Sequence, residues 1–292
     1  MKNKLLIGFL IFTVISSLIV LFTVSNRKQG IKNKRIVVTA PINYNKRLCS
    51  VIEKNKGIAI SMPTISIYIK NDNPKLDSLL YNLSNYKYIA LPSRNAIKAF
   101  YTRAKELRIP DKILQKPIYS AIGKDTEYLK ELNLLNILSI DEPSPKGIAT
   151  ALSKTKNIKG KMIAVLAPEV VGLTEPDVIP SFIELLNNIG LKVTRINAYT
   201  TQINNKNKFI DIISDIKKGN IDLIAFTSSA EIEALLLFIN GKEHIGNAKI
   251  SCFGPYTSAN AKKAGLIPCF TSTNYRSFND YVKSMNDFFL KE

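Results

Sequence analysis

The stretch IDLIAFTSS at residues 221–229 decides how the chain is interpreted. Its apolar run predicts a strand buried on both faces of a parallel sheet, and three hydroxyl-bearing residues follow where that strand ends. A similar stretch, YIALPSRN at residues 88–95, ends in the same way. Because each stretch leads into an amphipathic segment, both predict a strand followed directly by a helix.

Two further pairs of segments repeat in the same order along the chain. KRIVVTAP at residues 34–41 matches KMIAVLAP at residues 161–168, and YSAIGKDTEYLKELNL at 119–134 matches ISCFGPYTSANAKKAGL at 250–266. The chain therefore contains two copies of one α/β unit. Strands are predicted at residues 35–39, 57–62, 88–91, 118–122, 137–140, 161–166, 192–196, 221–226, 249–253 and 267–270.

Length and charge restrict the classes of protein that fit. A chain of 292 residues suits two domains, since single cores serve about 100 to 150 residues. The formal net charge of +18 favours a polyanionic partner: nucleic acid, an anionic membrane surface, or a small ligand with several carboxylates or phosphates. The lysines are scattered and no basic run is interleaved with aromatic residues, so nucleic acid is not predicted as the partner.

The cysteines and the single histidine offer no metal or triad chemistry. Cys49, Cys252 and Cys269 lack the spacing of a metal site and are predicted to be reduced, buried thiols. His244, the only histidine, lies in a polar stretch and is predicted in a surface loop. A His-dependent triad or a multi-histidine metal site is therefore not expected.

An apolar run of 20 residues without a charge, residues 5–24, is flanked by basic residues on both sides. About 20 helical residues match the thickness of a bilayer, so we expect one N-terminal transmembrane helix within a membrane anchor and juxtamembrane linker, residues 1–30. A cleaved signal peptide is the alternative, although the run exceeds the usual apolar length. The larger basic cluster after the run predicts that the remaining domains lie on the cytoplasmic side.

Small polar residues at the predicted strand ends are the candidate ligand contacts. Ligands of open parallel sheets bind outside the carboxyl ends of the strands, where helix N-termini offer N–H groups to anions. Ser93 and Arg94 in one copy, and Thr227 and Ser228 in the other, occupy such positions. The turns at residues 123–126 (GKDT) and 254–257 (GPYT) are a second matching pair, since each occupies the same strand-to-helix position in its copy of the repeat. Helix capping is the alternative role for each hydroxyl.

The order of these motifs resembles the uroporphyrinogen-III synthase family. The resemblance covers residues 34–290 and rests on VVTAP at residues 37–41, MPTISI at 62–67, the PSRNAI and IGKDT turns, SPKGIATAL at 144–152, AYTT at 198–201, and the DLIAFTSS and FGPYTSANAKKAGL segments. It implies an α/β fold of two flavodoxin-like parallel-sheet domains joined by a two-stranded linker. The first domain would combine residues 34–62 with 202–292, the second would span 66–198, and the linkers would lie around 63–65 and 199–201.

The resemblance also implies a chemistry and its residues. The family cyclises hydroxymethylbilane to uroporphyrinogen III, inverting the terminal pyrrole through a spiro intermediate, without a metal or organic cofactor. By resemblance Tyr199 would be catalytic, with its phenol donating a hydrogen bond to the departing hydroxyl, and Thr126, Ser228 and Thr257 would bind substrate carboxylates. Neighbouring enzymes of the tetrapyrrole pathway are the expected protein partners. Packing between domains is the alternative role for Tyr199.

Two positions depart from the family pattern. The family usually has an arginine in its first motif, where this chain has Ala40, and Ala167 ends the duplicated strand without one. Arg94, Lys124 or Lys146 would then supply the missing cation. The alternative is a catalytically inactive, membrane-tethered tetrapyrrole-binding or scaffold protein of the same fold. A bilobal solute-binding protein outside the membrane is a second alternative.

Overall fold

A computed structural model describes residues 30–275 and 277–292. The strands in chain order are β1 (Arg35–Val38), β2 (Ile58–Ser61), β3 (Ile65–Ile69), β4 (Tyr88–Leu91), β5 (Ile118–Ala121), β6 (Met162–Val171), β7 (Lys192–Ile203), β8 (Leu223–Phe226), β9 (Lys249–Cys252) and β10 (Pro268–Thr271). The helices are α1 (Ile42–Lys54), α2 (Pro74–Tyr81), α3 (Arg94–Glu106), α4 (Asp111–Leu114), α5 (Asp125–Glu131), α6 (Pro145–Ser153), α7 (Val178–Asn188), α8 (Ile210–Lys217), α9 (Ser229–Ile239), α10 (Pro255–Lys263) and α11 (Phe278–Lys291).

Two five-stranded sheets carry these elements. The first sheet has the order β10-β9-β8-β1-β2, and all its pairings are parallel. Read from β2, this is the doubly wound order 2-1-3-4-5. The second sheet has the order β3-β7-β6-β4-β5, with parallel pairings except for the antiparallel edge pair of β3 and β7. The predicted α/β class with predominantly parallel sheets is confirmed.

Each sheet is buried on both faces, which explains its continuous apolar strands. All four residues of β4 and all four of β8 are buried. In the first sheet Val37 and Phe226 pack on one face with α8, α9 and α10, while Ile36 and Leu223 pack on the other with α1 and α11. The second sheet likewise separates two apolar clusters, so a helix layer covers each face.

Short polar segments set the starts of the helices. Ser93 and Ser144 accept hydrogen bonds from the third residue of α3 and α6, and Asn73 does the same for α2. Pro74 and Pro145 follow two of these caps at the first helical position, where a missing N–H costs no hydrogen bond. Of these helices, α3 begins directly after β4, as the sequence predicts.

The two sheets meet through β3 and the end of β7. Thr64 donates its N–H to Thr39 O at 3.0 Å, and Asn204 donates its side-chain amide to Pro63 O at 2.7 Å. The predicted linker residues 199–201 lie within β7, where they pair antiparallel with residues of β3. Ile65 also packs against Ala230 and Ala234 of α9, so this crossing is anchored on the helix layer of the first sheet.

The prediction of a membrane-anchored protein is corrected by the structure. Within residues 30–275 and 277–292, no helix is long and apolar enough to cross a membrane. The longest of these helices, α11, has 14 residues and therefore reaches about 21 Å, whereas a hydrocarbon core is about 30 Å thick. The predicted transmembrane run, residues 5–24, lies outside the described residues. The predicted cytoplasmic orientation depended on that run and is not retained.

Candidate functional site

A serine and a tyrosine from distant parts of the chain meet at the carboxyl edge of the second sheet. Ser93, in the turn after β4, lies with its Oγ 3.0 Å from the phenolic oxygen of Tyr199 in β7. The same Ser93 oxygen accepts the N–H of Ala96 at 3.2 Å and so caps α3. The cap fixes the serine, and the serine in turn fixes the phenol at the edge of the sheet.

The environment of Tyr199 keeps its phenol protonated. Only 7% of the residue is exposed, and burial raises its pKa to about 12, with the hydrogen bond to Ser93 acting in the opposite direction. A buried phenol with a proton at neutral pH can donate a hydrogen bond to an oxygen that gains negative charge. Tyr199 is therefore equipped as a hydrogen-bond donor and is not equipped as a base.

Arg94 already has two partners next to this pair. Its Nε donates to Asp125 Oδ1 at 2.7 Å, and its guanidinium lies 4.0 Å from the ring centroid of Tyr128. Burial raises the pKa of Asp125, and the hydrogen bond and the charge of Arg94 lower it. The effect of burial is the larger one, so the pKa is raised overall. The contact with a permanently charged guanidinium still favours the ionised carboxylate. The charge of Arg94 is thus largely compensated within the protein.

Tyr44, in the first turn of α1, brings the edge of the first sheet to this cluster. Burial is the main cause that raises the pKa of its phenol, and the charges of Asp125 and Arg94 also act on it. The charge on a Tyr44 phenolate would in turn raise the pKa of Tyr199. Since α1 follows β1 and α3 follows β4, the carboxyl end of β1 lies near that of β4, and we call the space beside Tyr44 and Tyr199 the cleft.

A buried carboxylate holds the corresponding turn of the first sheet. Glu231 in α9 is 0% exposed and lies beside the turn after β8. It accepts the N–H of Thr227 at 2.8 Å, the hydroxyl of Thr227 at 2.5 Å and the hydroxyl of Ser228 at 2.9 Å. The hydroxyl of Thr39, at the end of β1, lies 2.7 Å from the same carboxyl group. Glu231 therefore joins the ends of two neighbouring strands.

The hydrogen bonds around Glu231 are all satisfied when its carboxyl group is neutral. The Thr39 hydroxyl has one proton but two potential acceptors, Glu231 Oε2 at 2.7 Å and Ala225 O at 3.0 Å. If Glu231 carries a proton on Oε2, it donates to Thr39, which then donates to Ala225 O, and every buried group is satisfied. Burial also favours the neutral form, because it raises the pKa of Glu231. The hydrogen bonds to Thr227, Thr39 and Ser228 lower that pKa but do not cancel the effect of burial.

The predicted site residues fall into two groups. Ser93, Arg94 and Tyr199 lie together at the second sheet, as described above. Thr227, Ser228 and Thr257 lie at the first sheet, where Thr257 Oγ1 approaches Thr227 O at 3.5 Å. The side chain of Thr126 makes no hydrogen bond with any described residue, although its turn leads into α5 beside Asp125. The structure thus groups six of the seven predicted residues by sheet.

Four functional candidates were not predicted from the sequence: Tyr44, Asp125, Thr39 and Glu231. Only Glu231 had a local signal, because it stands three residues after Ser228 in the S-x-x-E spacing of a capping box. The contact differs from that motif, since Ser228 does not accept a hydrogen bond from the first turn of α9. That turn consequently lacks a side-chain cap, in contrast to α3.

The positions that lack arginine leave no space for one. Ala40 and Ala167 are both 0% exposed, so a longer side chain at either position would have to displace neighbouring core residues.

Burial raises the pKa of Cys49 to about 11 and that of Cys252 to about 12, so both thiols are protonated at neutral pH. In the part of the chain that the structure describes, no three His, Cys, Asp or Glu residues cluster as metal ligands.

Comparisons with known proteins agree with this architecture. A family model described as uroporphyrinogen-III synthase HemD matches residues 46–278. The porphyrin biosynthesis protein HemD of Ruminiclostridium josui is 22% identical over 242 residues, which are 82% of this chain and 46% of that protein. The chain thus spans about half the length of that relative.

A plant relative and a solved structure show the same similarity. The chloroplastic uroporphyrinogen-III synthase of Oryza sativa subsp. japonica is 25% identical over 247 residues, 82% of this chain and 75% of that protein. A crystal structure of a mutant uroporphyrinogen III synthase from the extremely thermophilic bacterium Thermus thermophilus superposes with a TM-score of 0.67 at 16% identity. That superposition covers 89% of this chain and 100% of the other.

Proposed function

Because the chain belongs to the uroporphyrinogen-III synthase family, we propose that it cyclises hydroxymethylbilane to uroporphyrinogen III with inversion of the terminal pyrrole ring. The observation that carries the proposal is the buried, protonated phenol of Tyr199, which Ser93 holds at the carboxyl edge of the second sheet. The two sheets, with their helices, would be the two domains, residues 34–62 plus 202–292 and residues 66–198.

The proposed reaction requires little chemistry from side chains, because the electrons that move belong to the pyrroles of the substrate. Loss of the substrate hydroxyl gives an electrophilic carbon, which the substituted position of the terminal pyrrole attacks to form a spiro intermediate. Holding a flexible chain in this closing geometry can lower the barrier by about 7 to 11 kcal/mol. The hydrogen bonds that fix Ser93 and Tyr199 beside the cleft support that positioning role.

Tyr199 would assist departure of the hydroxyl. Its phenol would donate a hydrogen bond to the leaving oxygen, and Ser93 would hold the phenol in position. Tyr44, from the opposite side of the cleft, would restrict where the leaving group can lie. Since the pKa of Tyr199 is about 12, the phenol keeps its proton over the whole physiological range.

The substrate carboxylates would bind mainly at the first sheet. The first turn of α9 has no side-chain cap, so its N–H groups are available to an anion. Ser228, Thr227 and Thr257 would surround that position, and Thr126 would contribute from the facing turn. Arg94 would contribute less than a free arginine, because Asp125 already compensates its charge.

A second candidate function is tetrapyrrole binding without turnover. It is favoured by the buried alanines Ala40 and Ala167 and by the engagement of Arg94, which together leave the described strand ends with few free cations. Such a protein would keep the cleft and bind the substrate or product, and neighbouring enzymes of the pathway would be its partners.

A coupled assay distinguishes the two functions. The full chain is incubated with porphobilinogen and the enzyme that makes hydroxymethylbilane, and the oxidised porphyrins are separated into isomers I and III. Isomer III above the spontaneous background is expected. Isomer I alone, at the background rate, would favour binding without turnover.

Two variants test the role of Tyr199. Tyr199→Phe is expected to lower kcat by about 10- to 100-fold with little change in KM, since one hydrogen bond to developing charge is lost. Tyr86→Phe is the matched control, because the one described residue that its hydroxyl bonds is Thr194, at 3.4 Å, elsewhere in the second sheet. Full activity of Tyr199→Phe would exclude the phenol from the reaction and leave the family assignment unchanged.

A further inference from the structure

A basic groove lies between α1 and the N-terminus of α11, outside the site described above. Its volume is about 410 Å³, and three cationic side chains line it: Lys46, Arg47 and Lys54. Among the residues that the structure describes, no acidic side chain lines the groove. Ser277, Phe278 and Asn279 form its other side. We call this feature the α1–α11 groove.

The three cations lack the partners that arginines have elsewhere in the protein. Four other arginines hold a carboxylate in an ion pair: Arg35, Arg94, Arg103 and Arg195. Neither Lys46, Arg47 nor Lys54 makes an ion pair with any residue within 30–275 or 277–292. Three uncompensated positive charges around one concave surface repel one another, and an anion placed between them would relieve that repulsion.

The start of α11 adds donors on the other side of the groove. The helix has 14 residues, and its first-turn N–H groups at Phe278 and Asn279 have no partner within the helix. Ser277 caps the third position by accepting the N–H of Asp280 at 3.2 Å, and it donates its hydroxyl to the Asp280 carboxylate at 2.6 Å. Asp280 is thus turned toward the cap, and the dipole of α11 adds positive potential at the groove.

Aromatic rings connect the groove to the cleft. The guanidinium of Arg47 lies 5.4 Å from the centroid of the Phe278 ring, and the Tyr44 ring stands edge-on to that ring at 6.5 Å. Tyr44, Arg47 and Lys54 lie on one face of α1, since they are separated by three and seven residues. A ligand that occupies the cleft beside Tyr44 therefore meets the groove along the same helix face.

We propose that the α1–α11 groove binds clustered carboxylate or phosphate groups, as an anion subsite continuous with the cleft. Two sources of such groups are compatible with this chemistry: the outlying carboxylates of the ligand in the cleft, and free multivalent anions. The first source rests on the proposed function, whereas the second does not.

The test compares two triple variants of the full chain with the same change in charge. Lys46→Gln/Arg47→Gln/Lys54→Gln neutralises the groove. Lys208→Gln/Lys217→Gln/Lys218→Gln neutralises three exposed lysines beside α8, on the same sheet, and serves as the control. Titration calorimetry at low ionic strength measures the binding of citrate and of inorganic pyrophosphate, and circular dichroism verifies that each variant is folded. If the triple groove variant is unfolded, the single variant Lys54→Gln, at the exposed end of α1, replaces it.

Both anions are expected to bind the wild-type protein about tenfold more tightly than the groove variant, with the control within about twofold of wild type. A parallel measurement of KM for hydroxymethylbilane identifies the source. An increase in KM at unchanged kcat, in the groove variant alone, assigns the groove to the ligand in the cleft. Unchanged KM with lost citrate and pyrophosphate binding assigns it to free anions.

Two results would overturn the proposal: equal affinity of the wild type and the groove variant for both anions together with equal KM, or an equal loss in the control variant. A protein that makes no isomer III would refute the proposed activity, and the calorimetric comparison would still decide whether the groove binds anions. The two failures are therefore distinguishable.

Discussion

Replacing Glu231 by glutamine and by alanine tests how the turn after β8 is held. In the wild type this buried carboxyl group contacts the Thr227 N–H and the hydroxyls of Thr227, Ser228 and Thr39. Glutamine can keep all four contacts if its amide oxygen takes the place of Oε2 and accepts the Thr39 hydroxyl, while Ala225 O still accepts the Thr39 N–H at 3.4 Å. Its NH₂ group then donates to Thr227 and Ser228, whose hydroxyl protons become free to point elsewhere.

The two substitutions differ in what they leave unsatisfied. Alanine removes the acceptor of the partly buried Thr227 N–H, which costs about 1 to 3 kcal/mol. It also removes one buried methylene of Glu231, worth about 0.8 kcal/mol. Thr39 keeps Ala225 O as its acceptor at 3.0 Å and adds no cost. We therefore expect Glu231→Ala to lower the free energy of unfolding by about 2 to 4 kcal/mol, and Glu231→Gln by less than about 1 kcal/mol.

The pH dependence of stability gives the same test an independent sign. Because burial raises the pKa of Glu231, the folded protein holds this proton more tightly than the unfolded chain does. Stability from this proton is fully present below the pKa of the unfolded chain and is lost as pH rises through the folded pKa. Glutamine does not titrate, so Glu231→Gln removes that decline. The free energy of unfolding of the variant, relative to that of the wild type, should therefore increase as pH rises.

Urea unfolding followed by circular dichroism, repeated from about pH 4 to 8, measures both effects, since the chain has no tryptophan for fluorescence. A glutamine variant as unstable as the alanine variant, at every pH, would mean that a charged carboxylate is required. An alanine variant as stable as the wild type would mean that the four contacts contribute nothing to the fold. Either result would refute the stabilising role of a neutral, hydrogen-bonded Glu231 at this turn.

Three further predictions concern other parts of the molecule. The rate of uroporphyrinogen III formation should stay constant as pH rises through about 10, because burial raises the pKa of Tyr199 to about 12, and a fall near that pH in the pH–rate profile would contradict this. Asp125→Asn should free the guanidinium of Arg94 and lower KM by about threefold to tenfold, and a raised KM in steady-state kinetics would count against a role for Arg94 in binding. Gly147→Ala should destabilise the protein by about 3 kcal/mol or more in urea, because a Cβ there would lie 1.9 Å from Glu142 O, and an unchanged midpoint would refute the close approach.

The sequence predicted nine of the ten strands of the two sheets and missed one edge strand, β3. β4 and β8 are buried on both faces, so their apolar runs are visible without any tertiary information. β3 was missed because it is an edge strand with two exposed residues and pairs with β7, far away in the chain. The predicted strand at residues 137–140 forms only a single bridge, from Ile137 to Tyr119.

Strand length also depended on distant partners. The apolar part of β6 ends near Leu166, yet the strand continues to Val171 because Pro168 and the residues after it pair with the polar end of β7. Local hydrophobicity contains no information about that pairing. The same limit applies to the site, where Ser93 and Tyr199 were each predicted but their contact joins residues 106 positions apart in the chain.

The duplicated turns show why a repeat in sequence does not imply a repeat in function. In the second sheet Ser93 caps α3, so its hydroxyl occupies the helix N-terminus and leaves less room there for an anion. In the first sheet Glu231 draws the Ser228 hydroxyl away from α9, and that helix start has no side-chain cap. The two strand ends align in sequence, but only one offers open N–H groups to a carboxylate. An asymmetric ligand, with its leaving group at Tyr199 and its carboxylates at α9, is what such an unequal pair of turns would fit.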